Sequence, residues 1–203
     1  MAAITLLTRI EATLARAAAD LDALGRRWAL VGGFAVSART EPRFTRDADL
    51  AVLVTDDRDA EALVLALQDR GYRVLSAVEQ EATGRLATIR LAPQWETGSG
   101  VVVDLLFASS GIEWEVVAAA EVLQVLPEFR APVAQVGHLL ALKILSRDDR
   151  ARPQDRVDIA ALLANSDVAS LVLARDALVL IQGRGFHRGR DLLADLDALI
   201  AGP

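Results

Sequence analysis

Apolar and polar positions along this chain repeat with two periods, and the pattern changes near residue 135. Residues 4–25 repeat apolar side chains at helical spacing up to Gly25, which predicts an amphipathic helix. Short apolar runs predict strands at 28–31, 49–54, 72–77, 85–91, 101–107 and, as an edge strand, 122–126. Helices are predicted between them at 34–40, 57–70 and 113–120, and then alone at 135–147, 154–164, 167–181 and 187–200.

This order of elements predicts an α+β fold. A mixed-sheet domain over residues 1–130 would precede a helical region over residues 131–203. No apolar run approaches the roughly 18 residues of a membrane helix, and the start of the chain lacks a signal-peptide pattern. We therefore expect a soluble cytoplasmic protein without a membrane partner.

The amino-acid composition excludes several kinds of functional site. The chain has no cysteine and two histidines, which excludes disulfides, thiolate zinc sites, a cysteine nucleophile and a histidine-rich metal site. A net charge of -6 argues against a broad nucleic-acid-binding surface but leaves room for a local basic patch. Lys143 is the single lysine among 22 basic residues. A compact ammonium retained at one position suggests a contact to a phosphate, and the alternative is an ordinary surface lysine.

A glycine pair and two carboxylates form the most informative motif. Gly32-Gly33 lies where a predicted strand turns into a helix, so free N–H groups and the missing Cβ atoms would admit phosphates, although an ordinary turn is the alternative. Asp47 and Asp49 stand at the mouth of the next apolar run. On a strand they would share one face, with Cα atoms roughly 6.5–7 Å apart. Such a pair suits Mg²⁺. Alternatively, Asp47 belongs to the preceding loop and Asp49 faces solvent from an edge strand.

Asp104 supplies a third candidate acid. It lies within the otherwise apolar run 101–107, and such a run is typical of a central strand. A carboxylate there must be paired, hydrogen-bonded or bound to metal. Next to Asp47 and Asp49 it would complete a two-metal site for Mg²⁺ or Mn²⁺. A solvent-facing acid near a strand end is the weaker alternative.

The two runs Val31-Gly32-Gly33-Phe34-Ala35 and Arg43-Phe44-Thr45-Arg46-Asp47-Ala48-Asp49-Leu50 resemble the signature of the DNA polymerase β-type nucleotidyltransferase superfamily. More narrowly, they resemble the AbiEii/AbiGii-type enzymes, many of which are toxins of bacterial toxin–antitoxin pairs. The resemblance implies a mixed-sheet catalytic domain and a helical C-terminal part. It also implies that Asp47 and Asp49 bind metal and that Asp104 helps to activate the acceptor hydroxyl.

The helical half carries a second resemblance. The run 138–145 around Lys143, followed by Arg150, Asp155, Arg156 and Asp158, is similar to the family's lysine helix and its Arg/Asp-bearing helix. The resemblance implies that Lys143 completes the nucleotide pocket and that Asp158 orients it. The chain departs from the superfamily at Gly33, where many members have serine; Ser37, one turn on, is a weak substitute. It departs again at Ala48, where the usual residue is larger.

Two groups of basic residues are further candidates. Arg39, Arg43 and Arg46 surround the acidic motif, and Arg46 in particular is expected to bind the nucleotide. Arg184, His187, Arg188 and Arg190 lie among three glycines and could contact an RNA backbone. A solvated loop is an equally good interpretation of this second group.

We expect a Mg²⁺-dependent enzyme that moves NMP from an NTP such as ATP to an acceptor hydroxyl and releases pyrophosphate. By resemblance it would be a toxin-type enzyme acting on RNA or the tRNA end, with an antitoxin as partner. A small-molecule acceptor of the aminoglycoside type is an alternative that the pI near 5.0 mildly favours. A catalytically idle relative that binds nucleotide or a partner protein is another.

Overall fold

The computed structural model describes residues 2–80, 83–96, 100–148, 150 and 153–202, with side chains from residue 9 onward. Within them one sheet contains β1 (Trp28–Val31), β2 (Asp47–Val52), β3 (Tyr72–Glu79), β4 (Leu86–Pro93), β5 (Val102–Leu106), β6 (Glu121–Leu126) and β7 (Phe129–Val133). The helices are α1 (Ala2–Ala23), α2 (Gly32–Arg39), α3 (Asp57–Asp69), α4 (Glu113–Ala118), α5 (Val136–Ser146), α6 (Pro153–Ala164), α7 (Val168–Gly183) and α8 (Leu192–Ala201), with a 3₁₀ turn at Gln94–Glu96. The predicted α+β class is confirmed.

The sheet has the strand order β3-β4-β5-β2-β1-β7-β6. At its centre, β2 runs antiparallel to β1 and parallel to β5, and β5 runs antiparallel to β4. The run that carries Asp104 is therefore an interior strand, as its apolar pattern predicts. Asp47 is the first residue of β2, so both acids of the motif lie on one central strand.

The core forms where the central strands meet helices on their apolar faces. All four residues of β1 are buried, and on β2 Ala48, Leu50, Ala51 and Val52 are buried while Asp47 and Asp49 are half-buried. Helix α1 packs against β2 and β5, and α4 packs against β1 and β2. Burying the apolar face of β2 in this way leaves the acidic face available for a site.

The C-terminal helices are joined to the sheet region through α5. Helix α5 packs against α2, α6, α7 and α8. It is nearly all apolar apart from His138 and Lys143, which suits a helix with neighbours on several sides. In the described part of the chain, no helix combines the length and apolar character needed to cross a membrane.

Several elements differ from the sequence-based prediction: α1 and β2 begin two residues early, and α2, β7 and α8 differ as follows. Strand β7 was not predicted, because Pro132 cannot donate to a ladder and reads as a break; its register with β1 is confined to Leu30 and Val133. Helix α2 begins at Gly32, two residues early. Helix α8 begins at Leu192 rather than 187, because residues 184–190 form turns. Strand β7 crosses the proposed boundary at residue 130, and the division into two domains stays a prediction.

Candidate active site

Three carboxylates meet on the central strands of the sheet. In the parallel register of β2 with β5, Asp49 lies directly beside Asp104, and Asp47 lies two residues earlier on β2. Side chains two residues apart on a strand share a face, and register partners on neighbouring strands share it too. Asp47, Asp49 and Asp104 are called the acid cluster below. The sequence-based prediction that they lie together agrees with this arrangement.

The glycine turn lies against the middle acid of this cluster. Val31, the last residue of β1, pairs with Asp49, so Gly32 begins α2 next to its carboxylate. Gly32 has a φ of +62°, and a Cβ atom there would lie 1.9 Å from Asp49 Oδ2. The backbone N–H of Gly33 donates a hydrogen bond to the Asp49 carboxylate. Position 32 thus requires glycine both for its left-handed backbone and for this close approach.

The surroundings of Asp49 disfavour its charged form. Burial, followed by the charges of Asp104 and Asp47, raises the pKa of Asp49 from 3.8 to about 6, and Lys143 and the Gly33 N–H offset only part of that rise. Like charges on neighbouring carboxylates disfavour full ionisation. A divalent cation among them would reverse this effect, so the acid cluster has the electrostatic character of a cation site.

Asp104 is held by an arginine from the adjacent strand. Arg90 of β4 is the register partner of Asp104, and it donates from Nε to Oδ1 at 2.9 Å and from Nη2 to Oδ2 at 2.6 Å. The same Nη2 lies 3.9 Å from Asp47 Oδ2. This fork-to-fork pair fixes the orientation of Asp104. Sequence reasoning missed Arg90, whose only signal was a single charge inside an otherwise apolar strand.

Lys143 lies in a second, balanced group of charges. Its Nζ is 2.8 Å from Asp155 Oδ1 and 2.8 Å from Asp158 Oδ2. Arg43 contacts the same Asp158, with Nη2 donating to Oδ2 at 2.8 Å and Nε 2.7 Å from Oδ1. Arg43, Lys143, Asp155 and Asp158 are called the ion-pair network below. Asp158 contacts Lys143 as the resemblance implies, and Asp155 was an unrecognised second partner.

The ion-pair network lowers the pKa of Asp158, whereas the surroundings of Asp49 raise its pKa. Burial alone would raise the pKa of Asp158, but hydrogen bonds from Lys143 and Gln154, with the charges of Lys143 and Arg43, outweigh it and lower that pKa. Asp158 is 1% exposed and Asp155 is 3% exposed, and both acids pair with Lys143. The Lys143 side chain is 13% exposed, which does not fit an ordinary surface lysine.

One cavity connects the two groups. It has a volume of about 280 Å³ and lies between the acidic ends of the strands and helix α5. Its polar lining includes Asp49, Asp104, Arg90, Lys143, Ser110 and Arg188. Leucines of α5 and β5 supply apolar walls. A cavity with acids, cations and apolar walls can hold a ligand that has both a charged and an aromatic part.

The acid cluster fits a hard divalent cation by the chemistry of its oxygen donors. Among the described residues no group of three or more acidic or histidine side chains is already arranged around one point. Asp47 and Asp49 nevertheless share a face, and burial together with the charges of Asp104 and Asp47 raises the pKa of Asp49, a penalty on its charged form that a bound cation would offset. Both carboxylate oxygens of Asp104 accept hydrogen bonds from Arg90, so Asp104 could bind a cation only if these oxygens contacted the cation and Arg90 together.

The other predicted basic residues have mixed positions. Arg46 is exposed, with its guanidinium 5.7 Å from the ring centre of Phe44, and it is not part of the cavity lining. Arg39 donates to the carbonyls of Val133 and Ala134 and pairs with Glu121. Neither residue lines the cavity.

Comparisons with known proteins agree with this geometry. The family model described as "Nucleotidyl transferase AbiEii toxin, Type IV TA system" matches residues 13–199. No curated protein matches the sequence significantly.

Solved structures share the fold. An antigenic nucleotidyltransferase-like protein from Paracoccidioides brasiliensis is 18% identical, with a TM-score of 0.52 over 93% of this chain and 92% of that one. The antibiotic-resistance factor ANT(2'')-Ia is 17% identical, with a TM-score of 0.51 over 91% and 97%. At these identities the likeness shows the fold alone. Since the family model spans nearly the whole chain, the resemblance inferred from the motifs is confirmed: the chain belongs to the AbiEii family of nucleotidyl transferase toxins.

Proposed function

We propose that this protein is a divalent-metal-dependent nucleotidyltransferase of the toxin type that transfers NMP from an NTP to a hydroxyl of RNA, with the tRNA end as the leading acceptor. The observation that carries the proposal is that Gly32, Asp49, Asp104 and Lys143 line one cavity, with Asp47 two residues before Asp49 on β2. Asp47 and Asp49 would hold the cation, Mg²⁺ or Mn²⁺. When bound, the cation would neutralise charge on the reacting phosphate.

The reaction would proceed by in-line displacement at the α-phosphorus. The acceptor oxygen forms a bond to that phosphorus, the bond to the bridging oxygen of the β-phosphate breaks, and pyrophosphate leaves. Asp104 would take the proton of the acceptor hydroxyl, and the two hydrogen bonds from Arg90 orient its carboxylate. Lys143, oriented by Asp155 and Asp158, would contact the nucleotide phosphates. Gly32 and Gly33 would keep the backbone close to the cation and phosphates.

The test is to incubate the protein with total tRNA, Mg²⁺ or Mn²⁺, and each of the four α-³²P-labelled NTPs in turn. We expect label to enter tRNA with release of pyrophosphate, and Asp49→Asn to reduce it to background. Asp176→Asn, an exposed acid on α7, is the matched control and should retain activity. Absence of label with every NTP and both metals, or full labelling by the Asp49→Asn variant, would contradict the proposal.

A small-molecule acceptor is a second candidate, favoured by the net charge of -6, which suits a cationic substrate better than a long polyanion. The same assay with aminoglycosides in place of tRNA separates the two. Label in aminoglycoside alone would replace the RNA proposal, and label in tRNA alone would remove this candidate.

A toxin role and an antitoxin partner are consistent with the family description. We expect expression of the wild-type chain to arrest growth and co-expression of a small neighbouring gene to relieve the arrest. If the protein is instead a catalytically idle relative, its Asp49→Ala variant should arrest growth as strongly as the wild type.

A further inference from the structure

The loop between α7 and α8, residues 184–190, carries three arginines that the structure uses in three different ways. Arg184 contacts Gly111, in the turn after β5, and Glu115 of α4, whereas Arg190 contacts the C-terminal end of α5. Arg188, between them, lines the cavity that also contains Asp49, Asp104 and Lys143. The basic cluster is therefore not one surface patch.

The first anchor holds the loop near Ser109 and Ser110 of the cavity. Arg184 donates to the carbonyl of Gly111, and its Nη2 lies 2.6 Å from Glu115 Oε1. The buried ring of Phe186 packs on Gly111, where a Cβ atom would lie 2.6 Å from the ring. This side of the loop is thus fixed to the sheet region.

The second anchor holds the loop to the helix that carries Lys143. Arg190 Nη1 donates to the carbonyls of Ile144 at 3.0 Å, Leu145 at 3.3 Å and Arg147 at 3.3 Å, which caps the end of α5. Its Nη2 pairs with Asp195 at 2.6 Å. With both flanks bound to the walls of the cavity, the position of Arg188 at its mouth is determined by the protein.

The backbone of Arg188 is strained. Its φ is +54°, and it is the one non-glycine residue with a positive φ among those the structure describes. A left-handed conformation costs a residue with a Cβ atom roughly 1–2 kcal/mol, and such strain concentrates at functional sites. Glycine, which stands at positions 185 and 189, would avoid this cost. The presence of arginine at the strained position is a second indication that its side chain has a role.

On the basis of the proposed function, we propose that Arg188 is a substrate-binding residue whose guanidinium contacts a phosphate group of the bound substrate. A triphosphate or an RNA backbone brings several negative charges into the cavity. The planar guanidinium of an arginine at the mouth is suited to bind a phosphate through two hydrogen bonds.

The test is equilibrium binding of inorganic tripolyphosphate with Mg²⁺, and separately of total tRNA, to the full-length chain. Arg188→Gly removes the guanidinium and relieves the strained φ, so we expect an unchanged or higher melting temperature with binding weakened about tenfold. Arg73→Gln, an exposed arginine on β3, is the matched charge control and should bind as wild type. If Arg188→Gly melts at a lower temperature, Arg188→Asn, which tolerates this φ, is measured in its place.

Weaker tripolyphosphate binding would assign the contact to the nucleotide, and weaker tRNA binding alone would assign it to the acceptor. Binding of both probes within twofold of wild type would overturn the proposal. Because neither measurement requires turnover, a failure of the transferase proposal leaves this result interpretable.

Discussion

The acid cluster and the ion-pair network both contribute residues to one cavity, Asp49 and Asp104 from the first and Lys143 from the second, yet the pKa of a carboxylate is raised in one group and lowered in the other. Asp49 is surrounded by Asp47 and Asp104, and its pKa is raised to about 6. Asp158 has a side chain with less solvent exposure, yet Lys143, Gln154 and Arg43 lower its pKa. Burial acts in the same direction on both residues, so the charges of the neighbours decide the difference.

This contrast is consistent with the proposed roles, in which the acid cluster binds a ligand and the ion-pair network stabilises the fold. The ion-pair network is balanced within the protein, and it links the loop before β2 to α5 and α6 through direct contacts. In the acid cluster the like charges of Asp104 and Asp47 outweigh the opposite charge of Lys143 at Asp49, so the cluster is unbalanced there, and Arg90 lies 2.6 Å from Asp104. An unbalanced cluster costs stability in the empty protein and favours a cation, whereas a balanced one contributes stability without a ligand.

The largest effect expected is the loss of transfer in Asp49→Asn. Removing this charge should lower the rate about a thousandfold or more, because stabilisation of the reacting phosphate is lost. The same variant should be more stable than wild type at pH 8, since a repulsive charge has gone. Single-turnover labelling and urea unfolding measure the two properties. An inactive variant that is also less stable would indicate a structural role instead.

Asp158→Asn should act mainly on stability. It removes the shared partner of Lys143 and Arg43 while both cations stay partly buried, which should cost about 4 kcal/mol of unfolding free energy. Urea denaturation at pH 7 measures this cost. Asp176→Asn, as an exposed control, should change it by less than about 0.5 kcal/mol. A cost for Asp158→Asn as small as that of the control would remove the supporting role of the network.

The difference in unfolding free energy between wild type and Asp49→Asn should change with pH by at most about 3 kcal/mol. The folded pKa of Asp49 is about 6 and the unfolded value is 3.8, so between these pH values the folded chain retains a proton that the unfolded chain has released. Stability from Asp49 therefore falls as pH rises from about 4 to about 6 and stays low above that. Unfolding in EDTA gives the difference between the two proteins, in which contributions such as that of His138 cancel. A difference independent of pH would contradict the raised pKa.

Gly32→Ala should be less stable than Gly25→Ala by about 2 kcal/mol. Both glycines have a left-handed φ, at +62° and +66°, so both variants carry the same backbone strain. Only at position 32 does the new methyl group meet another atom, Asp49 Oδ2, whereas nothing lies within 4 Å at position 25. Thermal or urea unfolding of the pair isolates the cost of the close approach, and equal stabilities would show that Asp49 moves away freely.

The sequence predicted the elements of this site better than their partners. The strand alternation placed Asp47 and Asp49 on one face, and the apolar run around Asp104 indicated an interior strand; both agree with the structure. These are local patterns, which depend on residues close in the chain. The roles assigned to these residues remain predictions.

What the sequence could not provide depends on long-range register. Arg90 faces Asp104 only because β4 pairs with β5 in one particular register. Asp155 shares Lys143 with Asp158 because of how α5 packs on α6. Strand β7 was missed because the local signal of Pro132 opposes strand formation, and pairing with β6 overrides it.

The central claim is that the acid cluster, and not the ion-pair network, takes the divalent cation. The most direct measurement is the melting temperature with increasing Mg²⁺ or Mn²⁺ at pH 5 and pH 8 for wild type, Asp49→Asn and Asp158→Asn. We expect a saturable rise in wild type that is larger at pH 8, absence of the rise in Asp49→Asn, and its retention in Asp158→Asn despite a lower starting temperature. An undiminished rise in Asp49→Asn, or its loss only in Asp158→Asn, would contradict the account.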